Sequence, residues 1–274
     1  MGGGKRRRER KVNVNSPLAG LRVVITRSEH QANELAVTFS GAGARVELLP
    51  LLEVVPPADP RPLERAATEL ALYDWLVFTS ANAVEAFLPL TGGVLPARIR
   101  VAVVGPATAE ALRSFDVEPH LEARKADAEG LVVELAPHVG RRRRVLLPQA
   151  SDARPTLAEG LAAAGAEAVT IVAYDKRLPP DAPRRAAELF AAEPLGWVTF
   201  TSPRIVRHFA ELFGDDWERR RGELRAVSIG PVTSAELRRL GVEAIAEAAR
   251  PGDEEMVAAM TAILAKSPHV TGGG

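Results

Sequence analysis

The stretches VFTSANAVEAF (residues 77–87) and TFTSPRIVRHF (residues 199–209) stand 122 positions apart and share one pattern. Each opens on an apolar run, passes through Phe-Thr-Ser, and continues with apolar residues at helical spacing. The first part reads as a buried strand and the last as an amphipathic helix, with a hydroxyl-bearing turn between them. Working outward, the neighbours repeat as well. IRVAVVGPATAEALRSFDVEP is answered by LRAVSIGPVTSAELRRLGVEA, and LRVVITR near the start by RRVLLPQ. NELAVTFSGAGARVELLPL is answered by TLAEGLAAAGAEAVTIVAY, with Gly165 standing where Gly43 stood. AEGLVVELAPHV and DEEMVAAMTAIL close the two copies as helices. The offset holds at 122 and slips to 125 after one loop, so the elements recur in order and identify an internal duplication.

Strands that alternate with helices predict parallel sheets covered on both faces. The expected fold is therefore α/β, with two doubly wound parallel-sheet domains. LLPLLEVVPP and VTIVAYDKRLPP are each too long for one ordinary parallel strand, and both end in Pro-Pro. As equivalent over-long strands they are expected to pair and connect the domains. One domain is then discontinuous, from 18–50 and 179–265, and the other runs from 57 to 171. Residues 51–56 and 172–178 form the two-stranded linker, and 1–17 and 266–274 are expected to be disordered tails. A hinge of two strands implies a cleft and lobes that move relative to each other on the μs–ms scale.

With 274 residues, 46% of them apolar, the chain has ample material for two packed cores. It has no apolar run of about 18 residues, so no membrane partner is expected. The opening MGGGKRRRERKVNVNS is basic but lacks an apolar segment, so it does not read as a secretory signal, and a cytoplasmic location is expected. The chain contains no cysteine, which excludes disulfides, thiolate ligands and a cysteine nucleophile. Formal net charge is zero, yet the first eleven residues carry +5 and the rest −5. The basic stretch reads either as a nucleic-acid arm or as a plain extension. Nothing downstream resembles a nucleic-acid module, so nucleic acid is not an expected partner. A monomer is expected.

In open α/β sheets ligands sit beyond the carboxyl ends of the strands. The candidate contacts there are Thr79, Ser80 and Ala81 with Gly105 and Thr108 in one copy, and Thr201, Ser202, Gly230 and Thr233 in the other. Ser80 and Ser202 are placed to cap helices, and Thr108 and Thr233 lie in a first turn or cap. Helix starts also offer N–H groups to anions. The pattern alone leaves capping and ligand contact both open. Gly105 and Gly230 permit close backbone approach, or simply make a turn.

The sequence lacks a G-x-x-x-x-G-K-[ST] loop, a G-x-G-x-x-G fingerprint and a G-x-S-x-G elbow. His30, His120, His138, His208 and His269 show no metal-ligand spacing, and no acidic cluster suggests a divalent ion, so no metal is expected. The run Arg141–Arg144 reads as a solvated strand end. Trp75, Trp197 and Trp217 are too scattered for a stacking platform; the first two occupy equivalent positions and read as core. The residues alone thus reach a cofactor-free two-domain α/β protein with an anion-favouring cleft. An enzyme and a non-enzymatic two-lobed binding module for a small anionic ligand both fit.

VFTSANAVEAF, AVVGPATAEAL, VTIVAYDKRLPP, VTFTSPRIVRHF and SIGPVTSAEL, taken in this order, resemble the uroporphyrinogen-III synthase family, and the likeness covers residues 18–265. The resemblance implies two α/β domains on a two-stranded linker and a lyase of tetrapyrrole (haem, sirohaem, cobalamin) biosynthesis that uses no cofactor. Its substrate is hydroxymethylbilane, a linear tetrapyrrole with eight carboxylates. The product is uroporphyrinogen III, formed with inversion of ring D through a spiro intermediate. The resemblance points to Tyr174, in IVAYDK, as the group that helps the hydroxyl depart; a tyrosine that only packs the linker is the other reading. It points to Thr79, Ser80, Thr108, Ser202 and Thr233 as contacts made mainly through backbone, and to Arg27 and Arg154 as carboxylate partners. The second copy reads Pro148-Gln149 where the first reads Thr26-Arg27, so it has no equivalent arginine at that strand end. Tyr73 is expected to be structural.

Overall fold

The structure is a computed structural model that describes residues 16–266, save 141, 192 and 193. Its elements alternate as the repeat predicts: β1 (Arg22–Ile25), α1 (Glu29–Gly41), β2 (Arg45–Leu48), β3 (Glu53–Val55), α2 (Arg61–Thr68), β4 (Trp75–Phe78), α3 (Ala81–Phe87), β5 (Arg100–Val103), α4 (Pro106–Arg113), β6 (Leu121–Glu122) and α5 (Ala128–Val139). The second half follows with β7 (Arg144–Ala150), α6 (Thr156–Ala163), β8 (Glu167–Arg177), α7 (Ala182–Leu189), β9 (Gly196–Phe200), α8 (Pro203–Glu211), α9 (Trp217–Arg220), β10 (Leu224–Ser228), α10 (Pro231–Arg239), β11 (Ile245–Glu247) and α11 (Asp253–Lys266). The over-long stretch of the first copy is broken into β2 and β3, whereas its counterpart β8 runs unbroken for 11 residues. The tails expected to be disordered lie outside the described residues except at their inner ends. There, Ser16–Gly20 form a turn and Lys266 ends α11.

The chain divides into two compact units. The first joins the chain up to Glu53 with the chain from Arg177 onward, and the second is Val54–Lys176. The chain passes between them inside β3 and inside β8, and these two strands are neighbours.

In the first unit the sheet order is β2-β1-β9-β10-β11, parallel throughout. In the second it is β8-β7-β4-β5-β6, again parallel, with β3 beyond β8. The two orders are the same arrangement, 2-1-3-4-5, but each is assembled from both copies. Strands β1 and β2 of the first copy complete the sheet of β9, β10 and β11. Strands β7 and β8 of the second copy complete the sheet of β4, β5 and β6. The point where strand order reverses, β1 beside β9 and β7 beside β4, is therefore a seam between copies in both units. Neither ligand crevice of the kind expected at such a point exists within a single copy.

Strand composition follows from this placement. Along β4, Trp75 and Val77 enter one core cluster while Leu76 and Phe78 enter another. Along β1, Val24 faces one cluster and Val23 and Ile25 face its opposite. A sheet buried on both faces needs apolar residues at every position, which is why these strands do not alternate with polar residues. The duplication persists in detail. Gly43 and Gly165 end their helices at φ +96° and +93°, a conformation that costs glycine nothing. Arg100 lies over Trp75 at 5.8 Å from its ring centre, and Arg225 lies over Trp197 at 5.9 Å.

The arginine run before β7 is open to solvent at Arg142 and Arg143, as expected, and it is also held by specific partners. Arg143 reaches the Asp74 carboxylate at 2.7 Å, and Arg144 donates its backbone N–H to the same group at 2.9 Å. The Arg144 guanidinium pairs with Glu167 and covers the Tyr73 ring at 4.8 Å. Arg141 lies outside the described residues. Burial pushes the Asp74 carboxyl up, but the Arg144 N–H and the Arg143 charge outweigh it and hold the group below its ordinary range. A carboxyl depressed in the folded state contributes stability above its unfolded pKa and loses it as pH falls through the folded value. Asp74→Asn should therefore cost about 1 kcal/mol near neutrality. Urea titrations at descending pH should show the variant and the parent converging in acid; a gap that stays constant with pH would refute this role.

Candidate functional site

In the second unit the carboxyl ends of β4, β7 and β8 border a cavity of about 400 Å³. Four of the expected residues meet there: Thr79 and Ser80 follow β4, Arg154 lies in the loop after β7, and Tyr174 stands on β8. Ser80 caps α3, accepting the Ala83 N–H at 3.2 Å. The same hydroxyl lies 3.0 Å from the Tyr174 phenol oxygen. Ser80 thus couples a helix start to the one phenol on the cavity wall among the described residues. The residue that caps the helix therefore also borders the cavity.

Tyr174 owes its direction to a β-bulge. Gln149 pairs with Val172, but Ala150 pairs with Tyr174, so Ala173 is an extra residue on β8. Ala173 and Tyr174 are consecutive yet enter the same core cluster and are almost fully buried. In an unbulged strand, Tyr174 would share a face with Val172 and Thr170 instead. The bulge also sets Lys176, two residues on, beside it: the ammonium lies 5.5 Å from the Tyr174 ring centre and lines the same cavity. Lys176 pairs with Asp152 of the loop after β7 at 3.8 Å. Sequence reading left Lys176 and Asp152 unassigned. The lysine stands in a quoted motif, but nothing in the letters announces the bulge that turns it inward.

Gly105 and Thr108 lie nearby in chain terms but deeper. Gly105, not Thr108, is the residue before α4, and Thr108 is buried in the first turn. A side chain at Gly105 would meet the Ala126 methyl at 3.0 Å, so this glycine serves close packing under the cavity. Ala81 is the first residue of α3.

The first unit repeats the arrangement with Ser202, which caps α8 through the Ile205 N–H at 3.3 Å. Thr201 precedes it, Gly230 precedes α10, and Thr233 is buried in that helix's first turn. Arg27, beyond β1, is committed to Asp253 at the start of α11, 2.8 Å away. The copies differ at the capping serine: Ser80 has a phenol partner, whereas the position of the first copy equivalent to Tyr174 at the 122-residue offset is Leu52. Among the described residues no group of three or more His, Asp or Glu is placed to hold a metal, and no helix is long and apolar enough to cross a membrane.

Ser202→Ala removes the side-chain acceptor of the Ile205 N–H and should cost about 1 kcal/mol of stability, the usual worth of a lost N-cap. It should leave activity within a few-fold of the parent. Thr108→Ala, which removes no cap, should also keep activity within a few-fold of the parent, and complete inactivity in either variant with an unchanged circular dichroism spectrum would show direct chemistry instead.

A model of the family described as uroporphyrinogen-III synthase HemD matches residues 33–258. A uroporphyrinogen-III synthase of Synechococcus elongatus is 33% identical over 230 residues, covering 81% of this chain and 87% of that one. A second, of Chlorobaculum parvum, is 26% identical over 229 residues, covering 81% and 90%. Crystal structures of a mutant uroporphyrinogen III synthase from Thermus thermophilus and of the enzyme from Helicobacter pylori share the fold. Each has a TM-score of 0.58 at 19% identity, and they cover 90% and 89% of this chain respectively. Since the family model spans most of the sequence, including the doubled Phe-Thr-Ser turns and the Tyr174 strand, this chain belongs to the uroporphyrinogen-III synthase family.

Proposed function

We propose that this chain converts hydroxymethylbilane to uroporphyrinogen III, and that the Tyr174 cavity of the second unit takes the reacting end of the substrate. Membership of the family favours this reading over a non-enzymatic binding module. The observation that carries the site assignment is the Tyr174 phenol, buried at the cavity wall and 3.0 Å from the Ser80 hydroxyl.

The chemistry asks little of a protein in acid–base strength. The C–O bond of the terminal hydroxymethyl group breaks, its oxygen takes up a proton and leaves as water, and the pyrrole nitrogen supplies the electron pair that forms an azafulvene. Ring D then attacks that carbon through its already substituted position, giving a spiro intermediate. The bond from the spiro centre to the bridge between rings C and D breaks, that bridge recloses at the free α-carbon of ring D, and loss of a proton restores the pyrrole. Left in water, the bilane closes through the free carbon and gives isomer I. The protein therefore has to orient the chain and choose between two closures.

Tyr174 fits the role of proton donor to the departing oxygen. An ordinary phenol stays protonated at neutral pH and donates a hydrogen bond. Ser80 keeps that phenol in place: its oxygen is fixed by the Ala83 N–H, so the phenol has one defined neighbour on that side. Arg154, Thr79 and the start of α4 are carboxylate contacts of the second unit in this reading, and Thr201, Ser202, Thr233 and the start of α10 are those of the first; Arg27 joins them only by giving up Asp253. The expectations of a monomer and of a cytoplasmic location belong to the same proposal.

Incubation with hydroxymethylbilane, followed by oxidation and separation of the two isomers, tests it. Isomer III should dominate. Isomer I alone, formed at the rate of the protein-free control, would remove the proposal.

A further inference from the structure

Tyr174 borders two cavities of the second unit and is the residue they share. The first is the polar cavity described above. The second, of about 360 Å³, is largely apolar, with Pro57, Ala86 and Leu90 in its wall. Its polar lining is one-sided: Asn82 and Glu85 come from α3 and Glu64 from α2, and no lysine or arginine borders it. Neither Glu64 nor Glu85 has an ion-pair partner among the described residues. Asn82, Glu85 and Ala86 recur at the spacing of one helix face, and Ser80, which caps that helix, is the hydrogen-bond partner of Tyr174. Tyr174 is 4% exposed, so the little surface it keeps is turned to these two cavities. Its phenol oxygen makes the one hydrogen bond to Ser80 and has the capacity for another.

Resting on the proposed function above, we propose that the apolar cavity seats the pyrrole ring that carries the hydroxymethyl group, and that Glu85 accepts the N–H of that ring. Charge decides the orientation. The substrate's carboxylates are attached through the ring carbons opposite the nitrogen, and a wall with two unpaired carboxylates and no cation repels them. The edge that such a wall attracts is the N–H edge, which is a donor and carries no anion. Apolar walls suit the faces of the ring, and the volume is that of a small ligand site, so the cavity takes one end of the chain. Tyr174 borders that end and meets its hydroxyl. The assignment gives Glu85 a part in the reaction. When the C–O bond breaks, the nitrogen lone pair moves into the ring and leaves positive charge at the N–H. A carboxylate there stabilises the charge as it develops, without removing the proton. Attack by ring D returns the electron pair to nitrogen. The proton that the phenol gives to the departing oxygen is replaced by the one ring D later loses, and Glu85 stays ionised throughout.

Hydroxymethylbilane kinetics, isomer ratios and melting temperatures are measured for the parent chain, Glu85→Gln, Glu69→Gln and Ala86→Leu. Glu85→Gln should lower kcat by about three- to thirtyfold, with KM changed by less and isomer III retained; a fully enclosed charge would give more, but Glu85 is exposed. A carboxylate that only repels a polyanion makes the opposite prediction, since its removal lowers KM and leaves kcat alone. Glu69→Gln, at an exposed carboxylate outside this cavity, should keep kcat within about twofold of the parent. Ala86→Leu fills the cavity and should raise KM by about five- to twentyfold at the parental melting temperature. An unchanged kcat in Glu85→Gln, or an equal fall in Glu69→Gln, removes the N–H contact. An unchanged KM in Ala86→Leu shows that no ring enters the cavity; if that variant instead changes the mass of the protein in solution, the apolar rim joins two copies and the proposal is wrong. Should Ala86→Leu lower the melting temperature, Glu85→Gln still decides by the split between kcat and KM. A parent chain that makes no isomer III removes the proposed function and this inference with it, whereas an active parent matched by both cavity variants removes this inference alone.

Discussion

Phe209→Ala should lower the unfolding free energy of the first unit by about 3–5 kcal/mol, the largest stability effect expected of any single truncation here. Phe209 closes the second of the two repeated phrases and is fully buried. Its ring meets Phe213 at 5.2 Å, Phe200 at 5.3 Å, Phe190 at 6.0 Å and Trp217 at 6.2 Å, three of these contacts being edge-on or nearly so. Its counterpart Phe87 is equally buried, and its ring meets Phe78 at 6.1 Å. Aromatic pairs contribute about 0.5–1.5 kcal/mol beyond the area they bury. Phe209→Ala should therefore cost about 1 kcal/mol more than Phe87→Ala, although the sequence positions are equivalent. Two units need not unfold together, so the transition should be followed by the fluorescence of Trp197 and Trp217 in a Trp75→Phe background. Equal losses for the two alanine variants would show that the aromatic cluster adds nothing beyond burial.

The difference between Phe209 and Phe87 illustrates where sequence reading stopped. Periodicity revealed that both residues sit on the buried face of a helix after a strand, because burial is imposed by a short repeating pattern. It did not reveal that Phe190, Phe213 and Trp217 converge on one of them, since the first copy has no aromatic residue at the matching positions; Phe190 follows α7 where Glu69 follows α2. The same division holds for the sheets. Their parallel, doubly covered character was legible from unbroken apolar runs such as WLVF. The sheets draw on both copies, two strands and three in the first unit, two and four in the second with β3; the over-long stretches near residues 51–56 and 172–178 were the sequence feature that suggested it. The chain does cross between units inside β3 and β8. The break between β2 and β3 was not legible, as both stretches read alike.

At the site, residue types that act through backbone position were found from the motif: Ser80 and Ser202 are caps, and Gly105 and Gly230 precede their helices. The residues missed, Lys176 and Asp152, depend on a register shift of one residue, which reverses every side chain beyond it. Arg27 was read as a free carboxylate partner at a strand end. Its engagement by Asp253 depends on where α11 begins, 226 residues away in the chain. Contacts of that separation leave no periodic trace in a single sequence.

Tyr174→Phe should reduce kcat by about ten- to a hundredfold and leave the proportion of isomer III unchanged. General-acid assistance supplies about 10²–10⁴-fold where a poor leaving group needs it. The azafulvene forms readily and water can replace the phenol as donor, so the effect falls at or below the low end. Isomer choice depends on which carbon of ring D reaches the electrophile, and the ring of phenylalanine fills the same space. Folding should hardly change, because Ser80 keeps the Ala83 N–H as its partner when the phenol oxygen is gone. Tyr174→Ala is different. It empties a buried position in the core cluster shared with Leu76, Phe78 and Phe87, and should lower the melting temperature as well as the rate. The three readouts separate the roles. A Phe variant with parental kcat and parental melting temperature would show that the phenol donates nothing and only its ring is used. A Phe variant that releases isomer I would show instead that the Ser80–Tyr174 contact shapes the bound chain, moving the role of Tyr174 from proton donation to orientation.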